Sequence, residues 1–177
     1  MASQLDRILL DDYVGDLAAR PMDDVRAMRA ECQQVETGLS YLRRMVQGRL
    51  DIVGVELTRR ADGTPATDLA TLIAKLPETL ADRSRPPGNG RLPQLMAPGE
   101  IDPDLEAELA AITAGHDVEV LPTLDAGAVD ALKAGLEAFE RRVSDVRRQV
   151  FDRIDALQAE ITRRYRTGEA SVESLLQ

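Results

Sequence analysis

Two long apolar stripes, in which the steps between apolar residues alternate mostly between three and four, constrain the fold of this chain most strongly. Residues at these steps lie on one face of an α-helix, and so long a seam has to be covered by a second helix. The first stripe consists of Val25, Met28, Cys32, Val35, Leu39, Leu42, Val46, Leu50, Val53 and Leu57. The second consists of Leu132, Leu136, Phe139, Val143, Val146, Val150, Ile154, Leu157 and Ile161. The sequence therefore predicts an all-α fold in which two long helices pair as a coiled coil.

Residues that start and stop helices set the expected boundaries of both long helices. Pro21 suits the first turn of a helix and Gly63 is a typical stop, so the first long helix is predicted over 22–60. Asp125 can cap the N-terminus of the second, which is predicted over 125–167.

The remaining segments are predicted to be shorter. Residues 4–19 read as a short amphipathic helix, either a cap on the coil or an arm that binds a partner. An acidic connector over 61–124 carries two short predicted helices, over 67–82 and over 103–115. Residues 83–104 hold five prolines and three glycines, which predicts a flexible and partly disordered stretch.

Composition limits the functions that the chain can perform. Its 177 residues fit one helical domain over 1–177. Cys32 is the only cysteine and His116 the only histidine, so neither a disulfide nor a His/Cys metal site is expected. Because no phosphate loop or nucleophile motif is present, the protein is not expected to be an enzyme. The chain has neither a membrane-length apolar run nor a signal peptide, which predicts a soluble, cytoplasmic protein.

The net charge of −9 is concentrated in one segment. Residues 61–130 hold 13 acids and 4 bases, which accounts for the whole excess. DNA binding requires a basic surface, so direct DNA binding is not expected. The acidic segment either steers a basic protein partner or serves as a solvated linker.

A polar row repeats beside each stripe. The first row is Glu36, Ser40, Arg43, Gln47 and Asp51, and the second is Glu140, Ser144, Arg147, Phe151 and Asp155. The offsets of four, three, four and four are the same in both rows, and four of the five residue types recur. A coiled coil does not need the same polar row twice, so the rows are interpreted as two halves of a binding site.

The position of the rows predicts the direction of the helix pair. Every row residue follows a seam residue, which places it about 100° around the helix axis from the seam. If the helices are antiparallel, a two-fold axis brings both rows onto one face, whereas a parallel pair would place them on opposite faces. The duplicated row therefore favours a long antiparallel two-helix coiled coil with one nearly symmetric site.

The chemistry of the rows matches a guanine nucleotide. The forked guanidinium groups of Arg43 and Arg147 suit phosphate oxygens or the O6/N7 edge of guanine. Carboxylates accept hydrogen bonds only, so Asp51 and Asp155 suit the N1–H and N2–H₂ donors of the same base. Each row is roughly 22 Å long, which is too long for a metal ion.

The rows resemble the helical signature E-x3-S-x2-R-x3-Q-x3-D of the RsiG-type anti-sigma factors of actinobacteria. The first row matches all five positions, and the second matches four, with Phe151 in place of the glutamine. The resemblance implies an antiparallel coiled coil that binds cyclic di-GMP, which the family holds as a dimer, through both rows. It further implies that the loaded protein sequesters a sporulation sigma factor of the WhiG type and thereby regulates transcription.

Two points stay open at this stage. Phe151 cannot hydrogen-bond, but it could stack on a base or pack against the seam. Charged residues beside an apolar seam also form ordinary interhelical ion pairs. A structural coiled-coil assembly or protein-interaction module without a nucleotide ligand is therefore the alternative function.

Overall fold

The computed structural model describes residues 3–63 and 101–169, and this part of the chain is helical with short turns and no strand. The helices are α1 (Gln4–Leu9), α2 (Met22–Ala61), α3 (Pro103–Thr113) and α4 (Ala126–Thr167). A short 3-10 turn precedes each long helix, Leu17–Ala19 before α2 and Leu121–Thr123 before α4. The helix predicted over 67–82 and most of the stretch 83–104 lie outside the described residues.

The boundaries predicted for both long helices are confirmed to within one residue. Asp125 caps α4, because its Oδ1 accepts a hydrogen bond of 2.8 Å from the backbone N–H of Ala128. Past the ends of α2 and α4, Gly63 and Gly168 adopt φ values of 66° and 77°. This left-handed conformation is cheap for glycine and ends a helix.

The prediction of a continuous N-terminal helix over 4–19 is wrong, because α1 ends at Leu9. Ser3 and Asp6 form a reciprocal capping box that starts α1, with hydrogen bonds of 3.1 and 2.9 Å. The chain then leaves the helix at Leu10 and passes through Asp16, which has a left-handed φ of 49°. Asp tolerates this conformation better than most residues do, so the second half of the segment forms turns.

The chain folds into two compact units, and both long helices contribute to each of them. The first unit comprises Met1–Tyr41, Pro98–Asp102 and Val143–Gln177. The second comprises Leu42–Ala97 and Pro103–Arg142.

Within each unit α2 and α4 run antiparallel, as the rows predict. In the first unit Arg26 donates a hydrogen bond of 2.6 Å to Tyr165, whereas Arg147 pairs with Glu36. The partner on α4 thus has a lower number when the residue on α2 has a higher one. The second unit shows the same order, since Arg43 pairs with Glu140 and Arg60 reaches the backbone that precedes α4.

The apolar seam forms the core of both units, with a short helix added to each. The buried seam residues of α2 are Val25, Cys32, Val35, Leu39, Leu42, Val46 and Val53. Those of α4 are Leu132, Leu136, Phe139, Val143, Val150, Leu157 and Ile161. Burying one such aliphatic side chain is worth about 1.5–3 kcal/mol, so the seam dominates stability.

The short helices are joined to the long ones by specific contacts. In the first unit, Glu31 of α2 accepts hydrogen bonds from Gln4, Arg7 and Tyr13. Burial and the neighbouring Cys32 raise the pKa of Tyr13 above its ordinary value, so its hydroxyl stays a neutral donor. These contacts join the N-terminal segment to α2.

In the second unit, α3 approaches α4 closely at Gly135. A Cβ atom at this position would lie 3.3 Å from the side chain of Ile112, so the glycine leaves room for the packing of α3. Glu108 of α3 also pairs with Arg142 of α4. None of the described helices is long and apolar enough to cross a membrane.

Candidate functional site

In the first unit, the two polar rows meet at Arg147. Its Nε–H is shared between Oε1 of Glu36 at 2.9 Å and Oγ of Ser40 at 2.8 Å. Ser40 in turn donates to the same carboxylate oxygen at 2.6 Å. The side chains of Glu36 and Arg147 are 19% and 31% exposed, so the cluster lies at the edge of the core and is accessible to solvent.

Phe151 extends this cluster along α4. The guanidinium carbon of Arg147 lies 4.7 Å from the centroid of the Phe151 ring, a cation–π distance. The ring itself remains 37% exposed, and Asp155 one turn further along is exposed as well. An arginine, an aromatic ring and a carboxylate therefore follow one another on the surface of α4.

In the second unit, the rows meet at Glu140. Oε1 of Glu140 accepts hydrogen bonds from Nε of Arg43 at 2.9 Å and from Nε2 of Gln47 at 3.2 Å. The side chains of Arg43 and Glu140 are 35% and 20% exposed. Asp51 in this unit and Ser144 in the first unit are half-buried, and each makes a polar interaction of its own.

The two clusters contain equivalent pairs of residues, with the roles of the two rows exchanged. In both, the arginine of one row pairs with the glutamate of the other row across the helix pair. The second row lies 104 residues after the first, since 140 − 36 = 104 and 147 − 43 = 104. The structure thus brings together Glu36, Ser40 and Arg147 in one unit and Arg43, Gln47 and Glu140 in the other. That these residues bind a ligand stays a prediction.

Sequence reasoning missed a pair of polar clusters, each with one buried charged side chain, near the C-terminal ends of the long helices. In the second unit Glu56 is 1% exposed and accepts hydrogen bonds of 2.6–2.8 Å from Arg59 and Arg60. Arg60 also donates to the backbone carbonyls of Leu121 and Leu124, at 2.9 and 2.8 Å. The buried carboxylate of Glu56 thereby orients Arg60, whose hydrogen bonds stabilise the 3-10 turn before α4.

The first unit contains the matching cluster. Glu160 accepts hydrogen bonds from Arg163 and Arg164, and Arg164 donates to the carbonyl of Leu17 at 2.6 Å. Hydrogen bonds from Arg163, and to a smaller extent from Arg164, lower the pKa of Glu160 to about 2. Hydrogen bonds from Arg59 lower the pKa of Glu56 in the same way. We call these two clusters the arginine latches.

A sequence signal for the latches does exist. The residues from Glu56 to Arg60 read ELTRR, and those from Glu160 to Arg164 read EITRR, again 104 positions apart. The duplication of the polar row therefore extends to the ends of both long helices. A search for repeats beyond the rows would have found it.

The described residues contain no group of three or more His, Cys, Asp or Glu side chains that could hold a metal ion. The polar atoms of both clusters are instead guanidinium, carboxylate, hydroxyl and amide groups at the edge of an apolar seam. Such groups recognise polar organic molecules through hydrogen bonds.

The fold and the clusters define a class of helical proteins. In this class, two antiparallel helices each carry one copy of a polar row, and residues of the two rows pair across the helices. The family model described as RsiG-like matches residues 11–80 and 115–177, about three quarters of the chain. The chain belongs to this RsiG-like family, and membership indicates a function of the anti-sigma-factor type. Each matched stretch contains one of the two long helices. No curated protein matches the chain.

Proposed function

We propose that this protein is an anti-sigma factor that binds cyclic di-GMP between α2 and α4 and, when loaded, sequesters a sigma factor of the WhiG type. The observation that carries the proposal is the reciprocal pairing of Arg147 with Glu36 and of Arg43 with Glu140. This pairing brings residues of both rows together in each unit. The protein acts by binding and not as an enzyme. It acts in the cytoplasm, where its sigma factor would meet the polymerase.

The row residues of each unit fit a guanine and a phosphate of a cyclic dinucleotide. The first unit supplies Arg147 with the carboxylates of Glu36 and Asp155, together with Ser40, Ser144 and Phe151. The second supplies Arg43 with the carboxylates of Glu140 and Asp51, together with Gln47. Each unit therefore offers a forked donor for the O6/N7 edge or a phosphate, and acceptors for the N1–H and N2–H₂ donors of guanine.

The energies favour an exchange of partners at the arginines. Solvent-exposed ion pairs are worth about 0.2–1 kcal/mol, and the pair of Arg147 and Glu36, though half-buried, is accessible to water. A bidentate contact between arginine and guanine is worth about 1–3 kcal/mol. A guanine can thus replace glutamate at the arginine, and the released carboxylate can accept hydrogen bonds from the base.

Ligand binding is coupled to partner binding through the helix pair. A ligand that contacts both α2 and α4 stabilises their paired arrangement, and a sigma factor that binds the same arrangement gains affinity by the same factor. The sigma factor is then withheld from core polymerase only when the nucleotide is abundant.

Complex formation with a purified sigma factor of the WhiG type tests the proposal. We expect the two proteins to elute together from a size-exclusion column with cyclic di-GMP and separately with cyclic di-AMP. Separate elution in the presence of saturating cyclic di-GMP would contradict the proposal.

One alternative rests on the same ion pairs. Charged residues that flank a seam commonly pair across helices without any ligand. The protein would then be a structural coiled coil or an interaction module without a nucleotide ligand. This alternative predicts that no cyclic dinucleotide changes the stability of the protein.

A further inference from the structure

The two polar rows differ at one matched position, which is Gln47 in the second unit and Phe151 in the first, since 151 − 47 = 104. Gln47 donates a hydrogen bond of 3.2 Å to Glu140. A phenyl ring cannot make the equivalent contact with Glu36, and Phe151 instead lies under the guanidinium of Arg147. The duplicated rows therefore use different chemistry at this position.

The surroundings of Phe151 differ from those of an aromatic residue in a core. Phe139 on the same helix is 2% exposed in the seam, whereas Phe151 is 37% exposed on the polar row. The guanidinium of Arg147 covers part of the ring at 4.7 Å and leaves the rest accessible. Covering the exposed part of the ring with a planar group would be favourable.

Arg147 is also held by hydrogen bonds to α2. Its Nε–H contacts Glu36 and Ser40, at 2.9 and 2.8 Å, while its guanidinium lies over the ring. The planar pair of Arg147 and Phe151 is thus held in place by α2. A base that stacks on the ring meets a surface that is ordered before the glutamate is displaced from Arg147, which lowers the entropic cost of binding.

We propose that Phe151 is a ligand-binding residue of the first unit, where its ring stacks on a purine base of the bound nucleotide. The inference rests on the proposed function and deepens it. The first unit then binds through stacking on Phe151 together with the donors of Arg147. The second unit binds through hydrogen bonds from Arg43 and Gln47, so the two units are not equivalent.

A single tryptophan reports stacking directly, because the natural chain contains none. We expect the fluorescence of the Phe151→Trp variant to be strongly quenched when cyclic di-GMP is added, since guanine quenches an indole on which it stacks. Met45→Trp is the matched control. Met45 is 36% exposed, and it lies two residues before Gln47, about 200° away around the helix axis. Its emission should not change.

Calorimetry with cyclic di-GMP measures the contribution of the ring. Stacking of a base on an aromatic side chain typically contributes about tenfold or more to affinity. We expect Phe151→Leu to bind cyclic di-GMP about tenfold more weakly than wild type. Phe151→Tyr keeps an aromatic face and should bind like wild type. The control Met45→Ala, which also removes an exposed apolar side chain, should bind like wild type as well.

The outcomes separate this inference from the proposed function. If wild type binds cyclic di-GMP, but Phe151→Leu binds equally well and the Phe151→Trp emission is unchanged, the stacking role is wrong and the nucleotide site stands. If wild type itself gives no binding heat, the proposed function fails and the stacking role fails with it. Quenching in Phe151→Trp together with the tenfold loss in Phe151→Leu supports both.

Discussion

Nε of Arg147 lies 2.9 Å from Oε1 of Glu36, and this contact joins the third residue of one polar row to the first residue of the other. The same relation holds between Arg43 and Glu140, at the same distance. Two rows that were recognised by spacing alone are therefore in contact within each unit.

Removal of either row arginine should weaken nucleotide binding. We expect Arg43→Ala and Arg147→Ala each to reduce the affinity for cyclic di-GMP by about 1–3 kcal/mol, the usual worth of a bidentate contact with guanine. Titration calorimetry measures the effect. Arg148→Ala is the control, because Arg148 is exposed beside the row and should not contribute. Unchanged affinity in both row variants would contradict the assigned role of the arginines.

The aspartates at the ends of the rows should select guanine over adenine. Their carboxylates match the N1–H and N2–H₂ donors of guanine, whereas adenine lacks this pair of donors. Asp51→Ala and Asp155→Ala should therefore narrow the difference in affinity between cyclic di-GMP and cyclic di-AMP. Competition binding with both nucleotides checks this. If wild type binds the two equally well, the carboxylates have been assigned wrongly.

The latch at Glu56 should matter for stability. Removing a buried carboxylate leaves the donors of Arg59 and Arg60 without their acceptor, so we expect Glu56→Ala to lower the free energy of unfolding by about 1–3 kcal/mol. Glu137→Ala removes a carboxylate that is 42% exposed, at 3.7 Å from Lys133, and should cost less than about 0.5 kcal/mol. Urea denaturation of both variants measures the difference. Equal effects would show that the latch is not stabilising.

Glu160 should make stability dependent on pH in the acid range. Its pKa is lowered from an ordinary value of 4.5 to about 2 in the folded protein, so the unfolded chain binds a proton first as pH falls. The stabilisation is complete above about pH 4.5 and is lost as pH falls toward 2. The melting temperature of Glu160→Gln should depend less on pH in the acid range than that of wild type. Parallel curves for the two proteins between these pH values would contradict the prediction.

Much of the fold could be predicted because local signals determine it. Pro21 and Asp125 begin helices, Gly63 and Gly168 end them, and the apolar steps between them continue without a break. The N-terminal segment was predicted wrongly because its apolar spacing continues past Leu9. There the hydroxyl of Tyr13 bonds instead to Glu31 of α2, a contact that spacing cannot reveal.

The candidate site was predicted in part for a related reason. Row spacing and antiparallel pairing together predict that Arg147 lies near Glu36. They do not predict that Phe151 lies under the same arginine, because this depends on side-chain conformation. The latches were missed because Glu56 is a charged residue in a buried position, whereas the search for a seam considered apolar residues only.

Thermal unfolding of the wild-type protein at rising concentrations of cyclic di-GMP tests the central claim most directly. A ligand that binds only the folded state raises the melting temperature progressively with its concentration. We predict such a rise with cyclic di-GMP and a smaller or absent one with cyclic di-AMP. A melting temperature that stays constant at every concentration of cyclic di-GMP would contradict the account.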